Sequence, residues 1–242
     1  MAEPLRLLAI DTSGRSQGVA ALHGEDLLHE SLLLKPASHS ETLLASIDSA
    51  LQAAGWRLED VDVYALTIGP GSFTGLRIGM STVKGLCARH PKPVAGISTL
   101  AALAFPLLEN AEYVVPCLDA HCGEVFSGIY SRDEIYPVAL EADRAWPVEL
   151  WLETLGRLSG RKLLVGDAVA AYGNRLAEIS DLEWVEEGRY DHVSPAALGQ
   201  LGLRLFQQGK ALTAAELKPE YLRVSEAENR LHRKSEQEGE GP

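Results

Sequence analysis

Gly69-Pro-Gly-Ser-Phe-Thr-Gly-Leu-Arg-Ile-Gly79 links an apolar run at residues 61–68 to a run of helical periodicity at residues 76–88. This order predicts a strand that passes through a glycine-rich turn into a helix. Such a turn places backbone N–H groups at a helix N-terminus, where they can bind an anion. Gly69 and Gly71 can adopt positive φ, and Ser72 or Thr74 can cap the helix. The stretch is compatible with a phosphate site and equally with a structural connection.

The patterns on either side of this turn predict an α/β protein. The first hundred residues read β-β-β-α-β-α-β-α, with a capping-box pattern at Ser38 opening the first helix. Hairpin strands followed by crossover units form a mixed sheet flanked by helices. A second unit begins near Phe105, with strands at 113–119, 124–130, 136–140 and 162–165 and helices at 147–158, 168–179 and 194–208. We divide the chain into lobes at 1–104 and 105–223 and a charged tail, 224–242, expected to be disordered.

The composition limits the function classes. The chain has 242 residues, 34 acidic and 22 basic side chains, and a net charge of −12. This charge disfavours a wide nucleic-acid-binding face, which needs clustered Lys and Arg. No run approaches the ~20 apolar residues of a membrane span, and the N-terminus does not resemble a signal peptide. Three cysteines without paired spacing argue against a disulfide framework, so we expect a cytoplasmic protein with no membrane partner.

Two short clusters carry side chains that could take part in chemistry. Asp11-Thr12-Ser13 ends the first predicted strand, where it could orient a metal-bound nucleotide or form an Asx-type turn with its own backbone. Cys117-Leu-Asp-Ala-His-Cys122 offers thiols and an imidazole. No second ligand cluster accompanies it, whereas a structural zinc site uses four ligands. We therefore interpret this second cluster as structural.

The helix after the glycine turn carries two apolar stripes. One contains Leu76, Met80, Val83 and Cys87, and the other contains Ile78, Thr82 and Leu86. A helix covered on one side needs only one stripe. Gly75 and Gly79, four residues apart, leave a smooth strip that another helix could approach. The pattern indicates either a fully buried helix or a helix-pair interface shared with a partner.

Five segments, in order along residues 5–223, resemble the bacterial TsaB (YeaZ) family. They are the opening Leu-Leu-Ala-Ile-Asp-Thr-Ser, Ser38-His-Ser-Glu-Thr-Leu-Leu44, the glycine segment, Leu118-Asp-Ala-His-Cys-Gly-Glu-Val-Phe126 and Pro219-Glu-Tyr-Leu-Arg223. The family usually has Arg after the Asp-Ala pair, where this chain has His121. The resemblance implies a fold like that of the actin/sugar-kinase/Hsp70-ATPase superfamily, with two related lobes that each contain a mixed sheet flanked by helices.

The resemblance also implies a place in the complex that makes threonylcarbamoyladenosine at position 37 of tRNA. Family members pair with a related catalytic subunit, TsaD, and with an ATPase, TsaE. The chain would be a homodimer when alone and meet tRNA only through the complex. The catalytic relative carries a His-x-x-x-His metal motif, and residues 97–103 at the matching place contain no imidazole or carboxylate. ATP, threonylcarbamoyl-adenylate and a metal ion would thus bind on partner subunits, and this chain would have no cofactor of its own.

These considerations predict a non-catalytic scaffold and dimerisation subunit, without catalytic or metal-ligating residues. The alternative is an independent ATP-dependent phosphotransferase of the sugar-kinase type, using Asp11 and the glycine turn. A vestigial nucleotide cleft would comprise Asp11, Thr12, Ser13, Gly69, Gly71, Ser72 and Thr74. The partner interface would comprise His39, Leu43, Ile47, Leu76, Arg77, Met80, Val83 and Lys84.

Overall fold

Two mixed sheets of five strands form the framework of the chain. The computed structural model describes residues 3–34, 36, 38–131, 137–185 and 191–223. The predicted disordered tail, 224–242, lies outside the described residues. Within the described part of the chain, no helix combines the length and the apolar character needed to cross a membrane.

The first sheet has the strand order β3-β2-β1-β4-β5. Its strands are β1 (Arg6–Asp11), β2 (Ser16–His23), β3 (Asp26–Leu34), β4 (Val63–Gly69) and β5 (Val94–Ser98). The hairpin strands pair antiparallel, with Ala9 opposite Ala20, and β1 pairs parallel to β4, with Ala9 beside Ala65. The helices of this part are α1 (His39–Ala54), α2 (Phe73–Arg89) and α3 (Thr99–Ala104).

The second sheet repeats the first. Its strands are β6 (Tyr113–His121), β7 (Glu124–Ser131), β8 (Val138–Pro147), β9 (Lys162–Val165) and β10 (Leu182–Trp184), in the order β10-β9-β6-β7-β8. Three antiparallel strands are again followed by two parallel ones. The remaining helices are α4 (Val148–Arg157), α5 (Ala168–Leu176) and α6 (Pro195–Gln207). The shared topology confirms the predicted fold of two related lobes, each with a mixed sheet flanked by helices.

Strand β1 is the centre of the first lobe because both of its faces are buried. Leu8 and Ile10 pack into an apolar cluster with α1 and α2. Leu7 and Ala9 face the opposite side, where α3 and α6 cover the sheet. A strand covered on both faces reads as a continuous apolar run, as residues 7–10 do.

Helix α6 returns the chain to the first sheet. Leu198 and Leu201 are fully buried in the cluster that contains Leu7 and Ala9. The helix approaches so closely that a Cβ at Gly202 would lie 2.4 Å from the Ala65 side chain. This helix belongs to the range 105–223 that we predicted as the C-terminal lobe. The division into lobes stays a prediction, and the packing adds that the first lobe is completed from the end of the chain.

Three local details differ from the sequence expectations. Ser38 precedes α1, but its hydroxyl bonds the Ser40 hydroxyl at 2.7 Å instead of capping the helix backbone. Strand β8 runs on to Pro147, beyond the predicted end at residue 140, and Tyr136 lies outside the described residues. Strand β10 was not predicted, since three residues at an edge give almost no periodic signal.

Replacing Leu201 by Ala tests the placement of α6. We expect the free energy of unfolding to fall by about 2–5 kcal/mol, because a fully buried leucine is lost from a packed core. The matched control Gln200→Ala, on the exposed side of the same helix, should stay within about 0.5 kcal/mol of the parent. Urea unfolding followed by circular dichroism measures both, and equal losses would contradict the packing described.

Candidate functional site

The glycine turn is closed by the chain's own backbone. Gly69 and Gly71 have φ of 131° and 155°, a region that side chains other than glycine rarely adopt. The Ser72 N–H donates to the Ser13 carbonyl at 2.7 Å, and a Cβ on Gly71 would lie 2.2 Å from that oxygen. The Ser72 hydroxyl accepts from the Gly75 N–H at 3.2 Å, which confirms Ser72 as the helix cap. A donor that an anion would need is thus already used within the chain.

Thr12 occupies the glycine strip of α2. Its hydroxyl donates to the Gly75 carbonyl at 2.7 Å. A Cβ on Gly75 would lie 2.0 Å from the Thr12 carbonyl oxygen, and a Cβ on Gly79 would lie 2.4 Å from the Thr12 hydroxyl. The strip is therefore not open to another helix, which was one of the two uses that the sequence pattern allowed. The glycines accommodate the loop after β1, which no local pattern indicates.

Asp11 forms the Asx-type turn that was one of the two predicted alternatives. Its carboxylate accepts from the Ser13 N–H at 3.0 Å, the Ser13 hydroxyl at 2.6 Å and the Thr67 hydroxyl at 2.7 Å. The side chain is 1% exposed. Burial raises the pKa of Asp11, against the lowering effect of these donors and of nearby His39. This carboxylate joins β1 to β4 from inside the protein.

The C-terminal segment covers the other side of the turn. The Glu220 N–H donates to the Ile68 carbonyl at 2.7 Å, and a Cβ on Gly69 would lie 2.3 Å from the Glu220 carbonyl oxygen. Six of the seven predicted cleft residues therefore lie together, with Gly71 half-buried, Ser72 exposed and the other four buried: Asp11, Thr12, Ser13, Gly69, Gly71 and Ser72. The seventh, Thr74, is exposed on the outer side of α2.

Five predicted interface residues lie in the core instead. Leu43 and Ile47 of α1 and Leu76, Met80 and Val83 of α2 are between 0% and 6% exposed, and all of them except Leu76 belong to the apolar cluster that contains Leu8 and Ile10 of the first sheet. The prediction that these side chains contact a partner is wrong. The spacing identified two stripes on α2 correctly, but the first stripe faces inward because the Thr12 loop fixes the rotation of the helix.

The outer faces of α1 and α2 form a groove of about 510 Å³. Leu44, 58% exposed, is an apolar side chain that sequence reasoning missed. The second stripe of α2 could have pointed to it, since Ile78 and Thr82 line the same groove. The lining residues are Ser40, Leu44, Phe73, Thr74, Arg77, Ile78, Ser81 and Thr82.

The three polar residues of the predicted interface lie in different places. Arg77 lines this groove. Lys84 is exposed and lines a separate groove with Lys92 and the segment around Leu212. His39 is half-buried at the start of α1, with its Nε2 3.2 Å from the Gly14 carbonyl oxygen. Only Arg77 thus lies on the outer groove between the two helices.

The cysteine and histidine cluster of the second lobe is dispersed. Cys117 is fully buried, and its Sγ lies 3.5 Å from the Val165 carbonyl oxygen. Burial raises the pKa of this thiol, so it stays protonated. His121 lies 3.0 Å from Asp119, and Cys122 is exposed. Among the described residues, no group of three or more His, Cys, Asp or Glu side chains is placed to hold a metal ion.

The segment matching the relative's metal motif is packed into the core. Thr99 and Leu103 are each 3% exposed, and Leu103 belongs to the apolar cluster shared by the two sheets. Strand β8 brings one carboxylate here, Asp143, which accepts from the hydroxyls of Ser98 and Tyr130. Burial raises the pKa of Asp143, against the lowering effect of these two donors. Sequence reasoning missed this contact because 45 residues separate Asp143 from Ser98.

Comparison with known proteins identifies the family. A protein of Escherichia coli (strain K12) called tRNA threonylcarbamoyladenosine biosynthesis protein TsaB is 32% identical over 94% of this chain and 98% of its own length. The chain belongs to the TsaB family. The Bacillus subtilis (strain 168) protein of the same name is 26% identical, over 93% of this chain and 96% of its own length.

Structural comparison agrees with membership of the TsaB family. The structure of YeaZ from Pseudomonas aeruginosa superposes with a TM-score of 0.76 at 27% identity, covering 90% of this chain and all of that one. A family model described as "TsaD: tRNA N6-adenosine threonylcarbamoyltransferase" matches residues 35–138. The matched range contains α1, α2 and the glycine turn.

A pair of identical substitutions on α2 tests the close approach of Thr12. Gly75→Ala should lower the free energy of unfolding by about 1–3 kcal/mol, because its Cβ meets fixed backbone. Gly85→Ala is the control, since nothing lies within 4 Å of its Cβ. It should raise stability by about 0.5–1 kcal/mol through helix propensity. Thermal unfolding of the two variants compares them, and equal effects of the same sign would refute the contact.

Asp11→Asn tests the buried carboxylate. Because the folded pKa lies above the unfolded one, the folded protein binds more protons between these values, and stability falls as pH rises through that interval. The amide oxygen can still accept the three hydrogen bonds but does not titrate. Above the ordinary carboxyl pKa, the free energy of unfolding of the parent should therefore decrease with rising pH by an amount that the variant does not show. Unfolding measured over a series of pH values compares the two proteins. Parallel pH profiles for parent and variant would contradict a raised pKa.

Proposed function

We propose that this chain is the non-catalytic scaffold and dimerisation subunit of the tRNA N6-adenosine(37) threonylcarbamoyltransferase complex. The names of its relatives in E. coli and B. subtilis support a role in threonylcarbamoyladenosine biosynthesis. The partner is a TsaD-like catalytic subunit, and the assembly includes a TsaE-like ATPase in the cytoplasm. The chain pairs with itself when alone and meets tRNA only within the complex.

The observation that carries this proposal is the self-filled glycine turn. The carbonyl oxygens of Ser13 and Thr12 lie against Gly71 and Gly75, and the Ser72 N–H is bonded to Ser13. In a phosphate-binding turn such donors point at the ligand instead. This arrangement supports placing ATP, threonylcarbamoyl-adenylate and the metal ion on partner subunits. It also disfavours the alternative of an independent phosphotransferase, which would act through this turn.

The groove between α1 and α2 supports the partner assignment. On the inner faces of the same two helices, Leu43 and Met80 are buried in the protein's own core. Its outer side exposes Leu44 and contains Ile78 among hydroxyl side chains. A partner helix could bury this mixed surface as it would in a helix-pair interface. We therefore assign partner contact to the outer residues of α1 and α2 rather than to the inner stripe.

Leu44→Glu tests the surface. We expect the variant to keep its fold and to bind the TsaD-like subunit at least roughly tenfold more weakly, because the apolar contact of Leu44 is lost and a charged side chain must be desolvated in the interface. Leu150→Glu is the matched control, because Leu150 is also an exposed leucine, on α4 (45% exposed, against 58% for Leu44), and this variant should bind like the parent. Isothermal titration measures binding, and a tRNA modification assay with the assembled complex measures function. Equal binding by Leu44→Glu and the parent would remove the groove from the interface.

An assay of the isolated chain separates the two functions considered. The proposal predicts neither ATP turnover nor threonylcarbamoyl transfer without the partner, and modification once the TsaD-like and TsaE-like subunits are added. Asp11→Asn provides the control for a contaminating ATPase, because a phosphotransferase acting through this carboxylate would lose its activity. ATP turnover that the parent shows and Asp11→Asn loses would favour the phosphotransferase.

A further inference from the structure

Tyr221 contacts two of the residues that line the groove between α1 and α2. Its ring stacks on Phe73, with ring centres 4.8 Å apart and planes inclined by 30°. Its hydroxyl accepts from Arg77 Nε at 3.0 Å. The Arg77 guanidinium carbon lies 3.7 Å from the centre of the Phe73 ring. We call these three side chains, Phe73, Arg77 and Tyr221, the arginine clamp.

The segment carrying Tyr221 is held on both sides. Before it, the Glu220 N–H bonds the Ile68 carbonyl at 2.7 Å. After it, Arg223 donates to the Ala120 carbonyl at 3.0 Å and lies 3.5 Å from Glu124 in the second lobe. Tyr221 is thus a fixed support, which limits the rotamer freedom that an exposed arginine on a helix surface would otherwise have.

The clamp leaves the two terminal amino groups of Arg77 available. Tyr221 takes only Nε, and within the described ranges no carboxylate forms an ion pair with Arg77. Arg77 is the one charged side chain among the residues described as lining the groove. The chain as a whole carries a net charge of −12, so acidic groups are plentiful elsewhere. A guanidinium that is stacked on an aromatic ring and has no counter-ion can bind a carboxylate. Its two parallel N–H donors then form a bidentate pair with the carboxylate oxygens.

We propose that the arginine clamp presents Arg77 end-on to a carboxylate on the partner subunit and that Tyr221 is the positioning residue of this contact. The inference rests on the proposed function, because it names the chemistry that the TsaD-like subunit must offer opposite the groove. That chemistry is an Asp or Glu side chain on the surface that meets α1 and α2. Leu44 and Ile78 supply the apolar contact around it.

A double-mutant cycle tests the clamp. Binding of the full chain to the TsaD-like subunit is measured by isothermal titration over a series of NaCl concentrations, for the parent, Arg77→Gln, Tyr221→Phe and the double variant. Arg77→Gln should weaken binding roughly tenfold to a hundredfold and flatten its salt dependence. Tyr221→Phe keeps the ring stack and should weaken binding roughly twofold to tenfold. In the Arg77→Gln background, Tyr221→Phe should have no further effect.

Two further variants show whether the position and the planar shape of the Arg77 guanidinium matter, and not only its charge. Arg89→Gln removes a positive charge from the same helix outside the groove and should bind like the parent. Arg77→Lys keeps the charge without the planar fork and should fall between the parent and Arg77→Gln.

The outcomes separate the clamp from the proposed function. If the parent binds the TsaD-like subunit and Arg77→Gln binds it equally well, the clamp is refuted and the proposed function stands. Additive effects of Arg77→Gln and Tyr221→Phe refute the positioning role of Tyr221. Absence of binding by the parent overturns the proposed function and the clamp together.

Discussion

The backbone of Thr12 and Ser13 lies directly against the glycine-rich start of α2, and the first lobe depends on this approach. Hydrogen bonds from Thr12 to the Gly75 carbonyl and from Ser72 to the Ser13 carbonyl, each at 2.7 Å, close it. Any side chain at Gly75 would push the two elements apart. The contact sets the rotation of α2, so it determines which apolar stripe enters the core and which stays on the surface.

This constraint links the closed glycine turn to the surface that the lobe presents. The loop after β1 takes up the Ser72 N–H, a donor that a strand-to-helix turn can otherwise offer to an anion. The same loop directs Met80 and Val83 toward the sheet, which leaves Phe73 and Arg77 on the outer side. The C-terminal segment adds Tyr221 to that side while bonding to the glycine turn through Glu220. The turn thus acts as a structural junction where three distant parts of the chain meet.

Sequence patterns predicted the elements and the fold well but not the long-range contacts. Alternation and the glycine turn predicted the order of strands and helices along the first lobe, and resemblance to a family with two related lobes predicted the repeat that the second sheet confirms. Periodicity found two stripes on α2 without revealing which one faces the sheet. That choice rests on a contact between residues 63 positions apart. The support of Arg77 by Tyr221, 144 positions away, likewise leaves no local signal.

Hydrogen–deuterium exchange of the chain, alone and with the TsaD-like subunit, tests the central claim most directly. The claim is that the chain acts through the outer faces of α1 and α2 and not through an anion site at the glycine turn. It predicts slower exchange at residues 40–44 and 73–82 when the partner is added, and no change at residues 69–72 when ATP is added to the isolated chain. Protection of the turn by ATP, with α1 and α2 unaffected by the partner, would contradict it.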